Sequence, residues 1–270
     1  MNNISIIGAG HLTESLLDGI SRIHPIPVFI YNRTENKLKI WKNKYPFIIP
    51  ISSIQHTVTN SNFIFVMTNA EHLFEITDEL RESLQKNNAI LVSCIATLSL
   101  SQIENKLPGC RVVRLLPNVN WSSRNGVTLY KCNELVSTNE KDELLQFLSV
   151  LSLCHEITDE NDFERLTKIT SCGPGLYGQI MHELCRVFDI RNNDELGLFY
   201  SSFAGTLETC MNRKIAPIEI KNEVATKGGI TEAGASILES NLHEIFSKTK
   251  DVMENRIQER REKYRKEWSE

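Results

Sequence analysis

The sequence predicts an α/β chain, with a doubly wound and mostly parallel sheet in its first part and only helices in its second. Two observations carry this. Short apolar runs at Ile4–Ile7, Val28–Tyr31, 63–67, 90–95 and 112–116 alternate with amphipathic stretches. Short runs dominated by Val, Ile, Leu and Phe read as strands buried on both faces, as in parallel sheets. After about Asp159 such runs stop and helical periodicity takes over.

The elements follow in order. Ile4–Ile7 is a strand and His11–Ser21 a helix; Val28–Tyr31 is a strand and Glu35–Lys44 a helix. The strand 63–67 precedes a helix over 71–86, and the strand 90–95 a helix over 99–106. Strands at 112–116 and 126–130, a helix at 141–151 and a last short strand at 155–158 complete a first domain, residues 1–158. The second domain, residues 159–270, holds helices at 163–169, 175–190, 194–212 and 230–247. Phe199, Phe203, Leu207 and Met211 recur every four residues, which predicts a central, well-buried helix. The tail from Lys248 mixes both charge signs and predicts a solvated helix with i,i+4 pairs.

Lys and Arg number 30 against 34 Asp and Glu, so bulk charge gives no case for nucleic acid. No apolar run approaches a membrane span, and the N-terminus reads as a strand running into glycines, not as a signal peptide. The seven cysteines form no CxxC pair, so no metal site is expected, and reduced thiols in the cytoplasm are the default.

The first strand runs into Gly8-Ala9-Gly10-His11-Leu12-Thr13, a G-x-G-x-x-T before a helix. Gly8 permits the tight turn, Gly10 lets a pyrophosphate reach backbone N–H groups, and His11, Leu12 and Thr13 open the helix that faces it. This is the dinucleotide fingerprint of a Rossmann-type domain, with Thr13 where Gly or Ala is usual. The second strand ends at Asn32-Arg33-Thr34. An NAD site usually carries an acid there. Asn32 and the adjoining Arg33 favour NADP(H) over NAD(H), because a guanidinium pairs with a 2′-phosphate.

Near the end stands Lys227-Gly228-Gly229-Ile230-Thr231. It is either a carboxylate cradle at a helix N-terminus, with a hydroxyl donor at Thr231, or a turn with Gly and Thr caps. Lys227 either tightens anion binding there or points to solvent.

Together these features resemble pyrroline-5-carboxylate reductase over nearly the whole chain. GAGHLT and YNRT match its cofactor turn and strand tip. Val113-Arg114-Leu115-Leu116-Pro117-Asn118 is similar to its RxMPN segment. Ser171-Cys172-Gly173-Pro174-Gly175-Leu176 is similar to its GSGPAY, and Lys227–Gly234 to its SPGGTTxAG. The resemblance implies a Rossmann-type sheet with an all-helical C-terminal dimerisation domain. It also implies a homodimer or a higher oligomer, and hydride transfer from NADPH to the C=N carbon of 1-pyrroline-5-carboxylate, giving proline. Asn69, Ala96, Pro117 and Asn118 join the cofactor side. Cys172, Gly173, Gly229, Ile230 and Thr231 form the substrate side, with Thr231 placed at the imine nitrogen in the catalytic role.

The departures are systematic. The family's VKPQ is Thr68-Asn69-Ala70-Glu71 here, so Asn69 stands for a lysine, and Cys172 stands for a serine, which suits a small packing residue. SCGP with KGGIT is most similar to the late-competence, ComER-type branch. Two readings follow: a reductase of this or a related cyclic imino acid, or a weakened paralogue that binds NADP(H) or a metabolite and acts through a partner. The hydroxyacid dehydrogenases share the two-domain plan, but Gln179 occupies the place of their catalytic lysine.

Overall fold

The computed structural model describes residues 1 and 3–268, apart from the side chains of residues 35 and 265–267. Eight strands form one sheet: β1 (Ile4–Ile7), β2 (Val28–Tyr31), β3 (Ile48–Ile51), β4 (Phe63–Val66), β5 (Ile90–Ser93), β6 (Arg111–Leu116), β7 (Gly126–Cys132) and β8 (Ser152–Glu156). Their order is β3-β2-β1-β4-β5-β6-β7-β8, and every pairing is parallel except β6 with β7. β1 lies between β2 and β4, with Ile7 opposite Tyr31 on one side and Val66 on the other. That is the switch point, where the chain leaves one half of the sheet for the other and a crevice opens at the strands' carboxyl ends.

The helices are α1 (His11–Ser21), α2 (Glu35–Lys44), α3 (Ile54–Thr59), α4 (Ala70–Glu75), α5 (Thr77–Asn87), α6 (Leu100–Lys106), α7 (Thr138–Ser149), α8 (Glu160–Thr170), α9 (Gly173–Val187), α10 (Asn193–Arg213), α11 (Pro217–Val224) and α12 (Ile230–Trp268). β1, β4 and β5 are buried at every position, Ser5 and Ser93 included, as their mostly apolar runs predict. Successive side chains go to opposite faces. Ile4 and Ile6 pack with Leu16, Leu17 and Trp121, whereas Ile7 packs with Ile64, Val66 and Leu91 in a separate cluster. Each such side chain contributes about 1.5–3 kcal/mol by leaving water. α1 comes close enough to the 3-10 turn Val119–Ser123 that a Cβ on Gly19 would lie 2.4 Å from the Trp121 carbonyl oxygen.

Several elements differ from expectation. β3 and α3 were not foreseen. Pro50 interrupts the β3 run and is tolerated because β3 is an edge strand. The helix expected over 71–86 is two, α4 and α5, broken at Ile76, whose ψ of 4° leaves the helical range.

The chain forms two compact units, Met1–Pro174 with Ile257–Glu270, and Gly175–Arg256. The expected boundary after residue 158 therefore shifts. α8 stays with the sheet because Phe163 is buried against Leu116, Leu129 and Ile157, and the Arg114 guanidinium stacks 4.2 Å above its ring. The tail is corrected too. Tyr264 and Trp268, at the end of α12, are buried in the cluster that holds Ile7 and Leu73. The i,i+4 pairs Lys248–Glu244 and Lys250–Glu254 do form further up the helix.

In the second unit α10 has no buried residue. Phe199 and Phe203 are half-buried, with ring centroids 6.0 Å apart, and Leu207 and Met211 are exposed. The apolar stripe is present, but the single chain does not bury it.

Candidate active site

The glycine turn forms at the carboxyl end of β1. Gly8 has φ +110°, and a Cβ there would lie 2.6 Å from the Met67 carbonyl oxygen, so no other residue fits. Gly10 is the N-cap of α1, carries no side-chain cap and faces open space. The first N–H groups of α1, at His11, Leu12 and Thr13, lack helical acceptors and suit an anion. Thr13 is fully buried; its hydroxyl donates to the Gly8 carbonyl at 2.9 Å and lies 3.5 Å from the Met67 sulfur. It thus packs helix against strand, and its hydroxyl is already used.

Asn32 ties the turn to the tip of β2. Its Oδ1 accepts the Ala9 N–H at 3.1 Å and its amide donates to the Thr34 carbonyl at 2.9 Å. Gly8, Asn32, Arg33, Thr34 and Asn69 line one cavity of about 190 Å³, so five of the expected cofactor residues come together. Asn69 serves as the N-cap of α4, accepting the His72 N–H at 2.9 Å.

The same cavity is lined by Glu71 and Glu75, which sequence reasoning missed. Glu75 pairs with His72 at 3.3 Å. Glu71 receives Lys263 Nζ at 2.6 Å and the Tyr264 hydroxyl at 2.7 Å, and these two bonds pull its carboxyl down to about 2. A signal did exist: Tyr264 and Trp268 are i,i+4 aromatics in a charged helix, a spacing that asks for cover.

A second cavity, of about 160 Å³, includes Ala96, Thr97, Arg114, Thr167, Cys172 and Arg260 in its lining. Arg114 is buried, pairs with Glu160 and donates to the Ala96 carbonyl at 3.0 Å. Arg114 Nε and Thr167 Oγ1 are buried there without a partner among the described residues, which suits a polar ligand. Desolvation pushes the Cys172 thiol up, so it is a neutral thiol at pH 7. Gly173, next to it, is buried at the start of α9.

Pro117 is buried. Asn118, expected on the cofactor side, has both side-chain polar atoms in internal hydrogen bonds. Oδ1 accepts N–H groups of Asn120 and Val127 at 3.2 and 3.3 Å, and the amide donates to the Thr170 carbonyl at 2.9 Å. Asn118 thus ties the 3-10 turn and β7 to the end of α8, two residues before Cys172.

The KGGIT loop belongs to the second unit. Gly228, with φ +74°, donates its N–H to Glu232 at 2.6 Å, and Gly229 donates to the Thr226 carbonyl at 2.8 Å. The expected Gly229 donor is therefore committed to the turn. Ile230 and Thr231, both exposed in the first turn of α12, carry the N–H groups without helical acceptors. Among the described residues no His, Cys, Asp and Glu side chains cluster as a metal site, and no helix is long and apolar enough to cross a membrane.

Residues 3–97 match the family described as NADP oxidoreductase coenzyme F420-dependent. The chain is 24% identical over 254 residues to pyrroline-5-carboxylate reductase 3 of Bacillus subtilis, covering 91% of this chain and 92% of that protein. The chain is therefore similar to pyrroline-5-carboxylate reductases over about nine-tenths of its length. It is similar also to ComE operon protein 4 of Bacillus subtilis, with 23% identity over 251 residues and 90% of each chain covered. The fold is shared with the pyrroline-5-carboxylate reductase of Coxiella burnetii, at TM-score 0.82 and 22% identity over 96% of this chain and 98% of that one. It is shared also with the NADP-bound pyrroline carboxylate reductase of Plasmodium falciparum, at TM-score 0.80 and 20% identity over 97% and 96%.

Proposed function

We propose that the protein is an NADPH-dependent reductase of 1-pyrroline-5-carboxylate or a related cyclic imino acid, forming proline or its analogue. The observation that carries this is the single cavity shared by the Gly8 turn, Asn32 and Arg33 at the carboxyl ends of β1, β2 and β4. The similarity to pyrroline-5-carboxylate reductase 3 of Bacillus subtilis supports the reaction class, and the NADP in the Plasmodium falciparum structure supports the cofactor class.

The Gly8–Gly10 turn and the N-terminus of α1 hold the pyrophosphate, and Arg33 takes the 2′-phosphate. Bound NADPH supplies the hydride that adds to the C=N carbon of the protonated imine, leaving the ring amine. Positioning dominates such chemistry, so no acid–base pair is required. Ala96, Thr97 and Cys172 line space for the nicotinamide end. The N–H groups of Ile230 and Thr231 bind the carboxylate, and the Thr231 hydroxyl meets the ring nitrogen. A second copy covers the exposed α10 stripe, making a homodimer through the helical unit. The seven cysteines, none of them in a disulfide, accord with a cytoplasmic location.

A second reading is favoured by Asn69, which is spent as a helix cap where the family carries lysine. It is a paralogue that binds NADP(H) or a metabolite and acts through a partner. NADPH consumption with 1-pyrroline-5-carboxylate decides between them. The reductase turns over in the wild type and loses most of its rate on Thr231→Ala. Tight NADPH binding without turnover selects the paralogue.

A further inference from the structure

We infer that Lys263, on the last turns of α12, sets the preference of the cofactor cavity for the phosphorylated dinucleotide by neutralising Glu71. The inference rests on the reading above that this cavity takes a nicotinamide dinucleotide.

The cavity places Arg33 beside two carboxylates, Glu71 and Glu75. Left bare, the acids would outnumber the guanidinium and repel a 2′-phosphate. Glu71 is paired with the Lys263 ammonium and bonded by Tyr264, whereas Glu75 contacts the His72 ring at 3.3 Å. Arg33 has no hydrogen bond or ion pair among the described residues and stays available to a ligand.

Lys263 comes to Glu71 across 192 residues of sequence because its helix is pinned just past the contact. Tyr264 and Trp268 are buried, and the Trp268 ring meets Phe74 of α4 edge-on at 6.0 Å. Lys106 sits 5.3 Å from the other partner ring, Phe74, and holds it from the side of α6. α4 begins at the cavity, so the aromatic anchor fixes the distance between the Lys263 charge and the cofactor. Lys263 reaches the cavity through its bond to Glu71. It acts through Glu71 and is a positioning residue for cofactor choice.

Removing one charge of a pair at hydrogen-bond distance exposes the other to its neighbours, an effect worth about fivefold in binding at water-like dielectric. The test is fluorescence titration of the full chain with NADPH and with NADH. The wild type should bind NADPH more tightly. Lys263→Met should weaken NADPH about fivefold, leave NADH within about twofold, and show a smaller difference at high salt. Adding Glu71→Gln to Lys263→Met should restore NADPH binding, which a merely structural loss would not allow. An unchanged NADPH-to-NADH ratio in Lys263→Met, equal loss of both cofactors without rescue by Glu71→Gln, or a wild type that prefers NADH each overturns the inference alone. A wild type that binds neither dinucleotide overturns the proposed function, and this inference with it, before any variant is made.

Discussion

Asn32 holds the Ala9 N–H at 3.1 Å, so the residue that stands in the usual acidic position of the second strand also braces the glycine turn. Its Oδ1 is an acceptor used internally, and its amide is tied to the Thr34 carbonyl. Asn32→Asp keeps the acceptor for Ala9 but adds a negative charge next to Arg33. We expect it to lower NADPH affinity about tenfold and to leave or improve NADH binding, measured by titration of both. Asn32→Ala should weaken both cofactors together, because it loosens the turn instead of changing its charge.

The buried end of α12 sets a stability prediction. Trp268 is fully buried, and its Nε1 has no partner among the described residues. Trp268→Ala leaves a cavity and should cost about 3 kcal/mol. Trp268→Phe fills most of that space and removes an unsatisfied donor, so it should cost about 1 kcal/mol or less. Chemical denaturation of the first unit, followed by circular dichroism, measures both.

Glu71 sets a pH dependence. Its carboxyl is held at about 2, below its ordinary value of 4.5, by Lys263 and Tyr264. A folded value below the unfolded one means that the folded state favours the charged form. The contribution is therefore fully present above about pH 4.5 and is lost as pH falls from there through about 2. The melting temperatures of wild type and Glu71→Gln should differ by a constant amount above pH 5 and converge toward pH 2. The gap should be small, because the pair is partly exposed.

Cys172 is expected to react slowly. Cys172 is exposed as a residue, but partial desolvation of its sulfur raises the thiol above its ordinary value, so little thiolate exists at neutral pH. Alkylation of Cys172 by iodoacetamide should still be accelerating above pH 9. Cys172→Ser, which introduces the serine of the similar GSGPAY segment, should keep the rate of the proposed reduction within about threefold.

The local parts of the site were legible because their chemistry is local. Gly8 must adopt a positive φ and pass close to Met67, so the turn is written into residues 8–10. β1, α1, β2 and α2 fall where the apolar runs and caps put them. β3 was hidden by Pro50, which reads against a strand unless the strand is known to lie at an edge. Asn69 and Asn118 read as ligands from the motifs they stand in. Only the neighbouring N–H groups show that their side chains are already used.

Fold class, family and the cofactor turn thus come from patterns within a few residues of one another: apolar period, glycine spacing and short motifs. The surroundings of Arg33 do not. Glu71 and Lys263 lie 192 residues apart, and their pairing depends on Trp268 meeting Phe74. Charge in a cavity is a sum over whatever the fold brings within a few ångströms, and no window along the chain contains that sum.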